Sequence, residues 1–337
     1  MTWLTWRQYR TQFAVGTAIL AALCLLLVLT GLQLISQYHT IITECASGAG
    51  SRPSGQNCST GGGLFSGGPT VGFVSLIVLA TPVLAGLFLG APMVAAEFEA
   101  GTTQFAWVQG VTRARWLAVK AGWLLLAAAA WGGVLAALTT WWASPTNAEH
   151  GSEFYPGRFD VLYLVPVGYA VFAMALGICA GALIRRTVPA MAVTLGGFIA
   201  VRLAVTLWLR PHYMSAVTAV RNLPAQINLT GSYWLISQGV RDPAGQLISN
   251  PARYQGGEAE AFGVPVSYLP KACAGLASPR GGLTSSCRAA LTGFRSFVTY
   301  QPASRFWTFQ GIETGLFVVL AAILLTVPAA VLIRRDA

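Results

Sequence analysis

The sequence predicts an all-α polytopic membrane protein: six transmembrane helices, with a small extracellular subdomain between the fifth and the sixth. Three observations carry that expectation. Of 337 residues, 55% are hydrophobic and 9% charged, whereas a soluble domain is closer to roughly a quarter charged. The apolar residues fall in runs longer than the ~18 that read as a spanning helix. The basic residues of the short loops collect on one side of the spans drawn from those runs.

The first span is expected from about Phe13 to Ser36. Its apolar run is too long for a signal-peptide core. The preceding stretch, residues 1–12, holds Trp3, Trp6, Arg7, Tyr9 and Arg10. Aromatic rings favour the headgroup level and arginines reach outward to phosphate, so this stretch is expected to lie as a cytoplasmic interfacial connecting helix. Further spans are expected at Val71 to Ala95, Leu117 to Trp142, Val161 to Leu183, Val188 to Trp208 and Phe309 to Ile333. Residues 13–208 thus hold helices one to five, residues 209–307 the extracellular subdomain, and residues 308–337 the sixth helix and a cytoplasmic tail.

Orientation follows from charge. Arg7 and Arg10, then Arg113, Arg115 and Lys120, then Arg185 and Arg186, then Arg334 and Arg335 fall on one side, against only Glu97, Glu99 and Asp336. By the positive-inside rule that side is cytoplasmic and both termini lie there, which implies a multi-pass membrane protein. The formal charge of +10 is therefore spread over loops and does not form a nucleic-acid patch.

The cysteines bear on the outer loops. Cys45 and Cys58 share one loop, and Cys273 and Cys287 share another, so local pairing of each couple is expected in an oxidising compartment. Within the subdomain, Tyr233 to Ser237 and Gln246 to Ser249, separated by Arg241-Asp242-Pro243-Ala244-Gly245, read as a hairpin, and Ser286 to Val298 as a short helix.

Catalytic chemistry finds little support. His39, His150 and His212 have no zinc-type spacing, and no glycine-rich loop ends in Lys followed by Ser or Thr. Autonomous ATP hydrolysis and a resident cofactor or metal are therefore not expected. Two ionisable groups fall at membrane depth, Arg202 near the outer end of the fifth helix and Glu313 near the outer end of the sixth. A charge in hydrocarbon costs a few kcal/mol at least (about 3), so they are expected to pair with each other, or Glu313 to receive Arg210. Gly86 with Gly90, and Gly177 with Gly181, are small residues at four-residue spacing that permit close helix crossing.

The loop at residues 96–116 is the most informative cytoplasmic feature: Glu97, Glu99, then Gly101-Thr102-Thr103, then Thr112-Arg113-Ala114-Arg115-Trp116, then Lys120. Two carboxylates, a glycine break and a basic cluster suit a surface helix that docks a soluble partner; an ordinary loop obeying the positive-inside rule has the same composition. This pattern resembles the coupling region of ATP-binding-cassette (ABC) permeases of the type-2 exporter branch. The opening Trp6-Arg7-Gln8-Tyr9-Arg10 and the sixth-helix entry, Tyr300 to Glu313, resemble actinobacterial members.

The resemblance implies a non-catalytic transmembrane subunit exporting a hydrophobic or amphipathic compound. A separate cytoplasmic ATPase, two copies per transporter, would supply ATP and Mg, and a second permease, identical or paralogous, would complete the assembly in the lipid. It places ATPase coupling at Glu97, Glu99, Gly101, Thr102, Arg113 and Arg115, and the connecting helix at Arg7 and Arg10. Leu87, Phe88 and Met93 would line a hydrophobic substrate path. The other reading is a membrane sensor or immunity subunit that binds a peptide or antibiotic outside without transporting it.

Overall fold

A computed structural model describes residues 2–46, 69–101, 113–150, 153–154, 156–225, 227, 229, 232–249, 260–261, 264–265, 269–277 and 283–333. Six helices among them are long and apolar enough to cross a membrane: Phe13–Thr40, Gly72–Glu99, Arg115–Pro145, Val165–Ile184, Thr187–His212 and Ala303–Ala330. The chain divides into two compact units. One comprises residues 1–149, 157–213 and 307–337; the other, residues 150–156 and 214–306.

The first unit holds the six spans. Its first helix, α1 (Thr2–Ala46), runs without interruption, so the backbone shows no break where an interfacial segment was expected to end at residue 12. Nothing before Gly16 would break a helix, and leucine and alanine dominate the residues after it. The second span is α2 (Pro69–Ala85), a π turn at Gly86–Gly90 and α3 (Ala91–Glu99). The third lies in α4 (Arg113–His150). A short helix, α5 (Pro156–Phe159), precedes the fourth span, α6 (Val165–Ile184). The fifth is α7 (Thr187–Ala204), a π turn at Val205–Leu209 and a 3-10 turn at Arg210–His212.

The fourth span is the most enclosed, and glycine explains how. A Cβ on Gly86 would lie 2.3 Å from the Ala173 carbonyl oxygen, one on Gly177 would lie 2.4 Å from the Gly86 oxygen, and one on Gly181 would lie 2.5 Å from the Ala91 oxygen. The two small-residue pairs read from the sequence thus face each other across one backbone-to-backbone crossing of the second and fourth spans. A core of Leu89, Met93, Val94, Leu124, Met174 and Ile178 closes around that crossing.

Among the described residues, the second unit holds two antiparallel sheets and three short helical segments, Lys271–Ala277, Ser285–Ala290 and Ala303–Arg305. Its strands are β1 (Val217–Asn222), β2 (Trp234–Arg241), β3 (Leu247–Ser249), β4 (Glu260–Ala261), β5 (Val264–Pro265) and β6 (Arg295–Gln301). The main sheet has the order β1-β6-β2-β3. The β2–β3 hairpin turns where the Asp242-Pro243-Ala244-Gly245 stretch predicted, with Gly245 at φ 82°. The helix expected from Ser286 to Val298 is corrected: α8 spans only Ser285–Ala290, capped by Thr284, and the chain then turns at Gly293 into β6. Phe297-Val298-Thr299-Tyr300 is β-branched and aromatic, and each residue pairs on both sides of a central strand, which outweighs any local helical preference.

Cys273 and Cys287 form a disulfide, with Cα atoms 4.7 Å apart. Both sulfurs sit in the unit's core with Leu223, Val240, Leu269 and Leu291. The Cys45 side chain and Cys58 lie outside the described residues, as do Thr102 and the side chains of Arg7 and Arg113.

Candidate functional site: two polar knots at opposite ends of the bundle

One knot forms where the second span ends. Glu97 is buried and forms an ion pair with Lys120 of the third span, whose ammonium also lies over the Trp116 ring. Two residues on, the exposed Glu99 carboxylate reaches the start of the fifth span. It accepts from the Thr187 backbone N–H at 3.0 Å and from the Thr187 hydroxyl at 2.6 Å. A carboxylate on the first free N–H groups of a helix satisfies an orphan donor and meets the positive end of the helix dipole. Between them, the Phe98 ring takes the Arg185 guanidinium at 5.0 Å. Arg185 itself adopts φ 58°, closing the fourth span with its N–H on the Gly181 carbonyl.

Three consecutive residues therefore tie the end of the second span to the third, the fourth and the fifth. The sequence grouped Glu97 and Glu99 as like residues; the structure separates them. Glu97 points inward to Lys120, while Glu99 is on the surface. Gly101 follows at φ 66°, in the left-handed region that glycine occupies without strain, and turns the chain away from the helix. Arg115, at the start of the third span, is exposed, as is Arg10.

A second knot lies at the other end of the spans. Arg210 and Glu313 are 2% and 0% exposed, so each must be neutralised by a direct partner. Glu313 Oε2 accepts from Arg210 Nε at 2.8 Å, and its Oε1 is bonded by Arg210 Nη2 and, at 2.6 Å, by the Tyr169 hydroxyl. Arg210 Nη2 also pairs with Asp160, whose other oxygen accepts from Arg202 Nη2 at 2.8 Å. Aromatic faces receive both cations, Phe159 beneath Arg210 at 4.7 Å and Tyr169 beneath Arg202 at 4.8 Å. The Tyr213 hydroxyl, just past the fifth span, is pushed above the ordinary phenol range by burial and then by the Glu313 carboxylate.

This corrects the direct Arg202–Glu313 pair; the alternative expectation, Glu313 receiving Arg210, is the pairing that forms. Arg202 binds Asp160 and Glu313 binds Arg210, so the two predicted residues belong to one electroneutral quartet and meet only through intermediaries. In a regular α-helix residues eight apart are about 80° out of phase. The π turn at Val205–Leu209, by admitting an extra residue, closes most of that offset and brings Arg202 and Arg210 onto one face. Asp160 and Tyr169 were missed. Asp160 borders an apolar run and reads as a loop residue; a tyrosine inside a span carries no charge signal. A helix-cap contact adds to the same end: Gln310 Oε1 accepts from the Leu164 and Val165 N–H groups, both at 3.1 Å.

The residues expected on a substrate path separate. Phe88 is 56% exposed and lines an apolar cavity of about 750 Å³ between the first four spans. Met93 is buried in the core and Leu87 is half-buried, and neither lines that cavity. No group of three or more His, Cys, Asp or Glu side chains suited to a metal occurs among the described residues.

Six apolar spans knotted by buried ion pairs define a multi-pass integral membrane protein, and the fourth span's enclosure makes it a packed bundle. A family model described as ABC-2 membrane transporter related matches residues 17–210. The chain belongs to that family, and it is an ABC-type permease, the membrane subunit that works with an ABC ATPase. No curated protein and no solved structure matches it.

Proposed function

We propose that the chain is the transmembrane subunit of an ABC exporter of the actinobacterial kind, moving a hydrophobic or amphipathic compound outward. In this reading two permeases, identical or paralogous, assemble with two cytoplasmic ATPase subunits, which hold ATP and Mg. The chain itself performs no catalysis. Both termini and the Glu97 knot lie on the cytoplasmic side of a bacterial plasma membrane, and the 214–306 unit lies outside.

The observation that carries the reading is the Glu97-Phe98-Glu99 tie. The segment after it, up to Arg113, leaves from a point already bound to the third span through Lys120, to the fourth through Arg185 and to the fifth through Thr187. A push on that segment by a nucleotide-driven partner therefore reaches four helices at once. Glu99, Gly101, Thr102, Arg113 and Arg115 are assigned to partner contact. Glu97 is assigned to positioning, since its buried carboxylate serves Lys120. Arg7 and Arg10 stay assigned to the connecting region at the start of α1.

Purification of the tagged chain from membranes in mild detergent tests this. An ABC ATPase is expected to accompany the wild type and to be lost from the Arg113→Glu/Arg115→Glu variant, which still inserts. Glu99→Gln should keep the ATPase bound but loosen the link between ATP hydrolysis and transport in proteoliposomes. An ATPase retained undiminished by the double charge reversal would refute the assigned contact.

A further inference from the structure

The second unit is basic: residues 150–156 and 214–306 hold eight Lys or Arg against four Asp or Glu. Two of the arginines stand directly opposite one another. Arg295, the first residue of β6, pairs in register with Arg241, the last of β2, so their Cα atoms lie about 5 Å apart. Like charges placed directly opposite each other destabilise a sheet. Charge on a sheet commonly blunts an exposed edge, but β6 and β2 are the two inner strands of the order β1-β6-β2-β3. Neither arginine guards an edge.

Alternation along the strands gives both side chains the same face. Their neighbours Val240 and Ser296 are buried, Val240 in the disulfide core. Arg241 and Arg295 therefore lie on the face away from that core, and both are exposed. Phe297 and Thr299 follow Arg295 along this face of β6, with Val220 and Thr218 opposite them on β1. The Arg241 guanidinium lies over the Phe297 ring at 5.3 Å, which holds one cation in place. No carboxylate among the described residues pairs with either arginine. Asp242, next in sequence to Arg241, is turned into the hairpin, where its Oδ1 accepts from the Gln246 N–H at 2.7 Å.

We propose that this face is an oxyanion site, where Arg241 and Arg295 close on one carboxylate or phosphate group of an amphipathic ligand whose apolar body lies along Phe297 and Val220. Charge complementarity sets the head. Two guanidinium groups rooted on adjacent strands offer donors and no acceptor, match the paired oxygens of such a group, and lose their mutual repulsion when it binds. The strip beside them sets the body: Val220 is 56% exposed and the Phe297 ring lies one side-chain repeat, about 7 Å, along the strand from Arg295. At the far end the Thr218 and Thr299 hydroxyls, 3.0 Å apart, share one proton between them and leave the other for a ligand. The site is independent of export, of the ATPase and of the side of the membrane on which the unit lies.

The test uses the full chain in mild detergent with its disulfide intact, and follows fluorine NMR line broadening of para-fluorophenyl phosphate, para-fluorobenzoate and the neutral para-fluorobenzyl alcohol at low salt. The wild type is expected to bind an anion in competition with inorganic phosphate, and the alcohol at least about tenfold more weakly. Whichever anion binds more tightly identifies the head as phosphate or carboxylate. Arg241→Gln/Arg295→Gln should weaken anion binding at least about tenfold, the loss of its charge-assisted hydrogen bonds. Val220→Glu, exposed on the same face, should repel the anion with both arginines in place, and keeps the test decisive if the double variant fails to fold. Arg221 pairs with Ser296 and so belongs to the opposite face; Arg221→Gln removes a charge from the same unit and should bind as the wild type does. A wild type that binds neither anion would overturn the proposal. So would binding unchanged in both the double variant and Val220→Glu, or an equal loss in Arg221→Gln, which reports net charge and no site.

Discussion

Replacing Arg210 by Met should destabilise the bundle far more than replacing Arg210 and Glu313 together. Arg210 serves two carboxylates, and its loss leaves Asp160 with Arg202 while Glu313, 0% exposed, loses its cation and keeps the Tyr169 hydroxyl. Removing one partner of a buried pair costs about 3–5 kcal/mol because a charge is left buried without compensation, whereas an apolar replacement of both is often near neutral. For a chain of this size, at most about 2 °C of Tm accompanies each kcal/mol. Arg210→Met is therefore expected to lower the Tm of the detergent-solubilised protein by several degrees, up to about 10 °C. Glu313→Met should fall in the same range, since Arg210 then has one carboxylate, Asp160, which it shares with Arg202. The double variant should lose less than either single one, because the remaining Arg202–Asp160 pair is still neutral. A thermal unfolding series on the four proteins measures the coupling. A double variant whose loss equals the sum of the two singles would refute a shared quartet.

The packing sets three further outcomes. Gly86→Ala should cost about 1–3 kcal/mol in the same melting assay, the range for overpacking, because its Cβ would meet the Ala173 oxygen at 2.3 Å. Gly122→Ala in the third span meets nothing within 4 Å and should be neutral or stabilising by up to about 1 kcal/mol; equal losses at the two glycines would contradict the crossing. Cys273→Ser should destabilise the 214–306 unit by about 3 kcal/mol, the entropy of a loop of this size, seen as faster proteolysis of that unit with the spans intact. In the wild type, denatured but unreduced, peptides bearing Cys273 and Cys287 should resist maleimide.

Much of this fold was legible because lipid imposes a one-dimensional rule. Apolar runs of sufficient length at Phe13, Val71, Leu117, Val161, Val188 and Phe309 had to be spans, and the structure moves their ends by a few residues without changing their number. What hydropathy reports is depth, not direction around a helix. Arg202 and Glu313 were therefore recognised as groups of similar depth, while the partner choice between Arg202 and Arg210 turned on a π turn that no residue type announces. Asp160 is close to Arg210 only through a separation of fifty residues, and a lone carboxylate at a span edge has an ordinary explanation in solvent. The same limit split Glu97 from Glu99: two positions apart on a helix, they face different neighbours.

The insert was read less well for a different reason. Its hairpin had a local signature in Asp242 to Gly245, but β6 is a strand because β1 and β2 pair with it from more than fifty residues away. Gly86 and Gly177 show the middle case. Each four-residue pair was visible as a contact surface, and only the fold showed that the two surfaces meet each other.

In the proposed transporter the segment after Glu99 receives force from a separate ATPase. The most direct measurement places a photocrosslinking amino acid at Gln104 or Gln109 of the full chain in its native membrane and identifies the adduct by mass spectrometry. A crosslink is expected to a protein carrying a nucleotide-binding phosphate loop, strengthened or weakened by ATP, and none from Leu126 on the lipid-facing side of the third span. Adducts only to lipid or to the chain itself from both positions, in membranes where the chain supports transport, would contradict the claim.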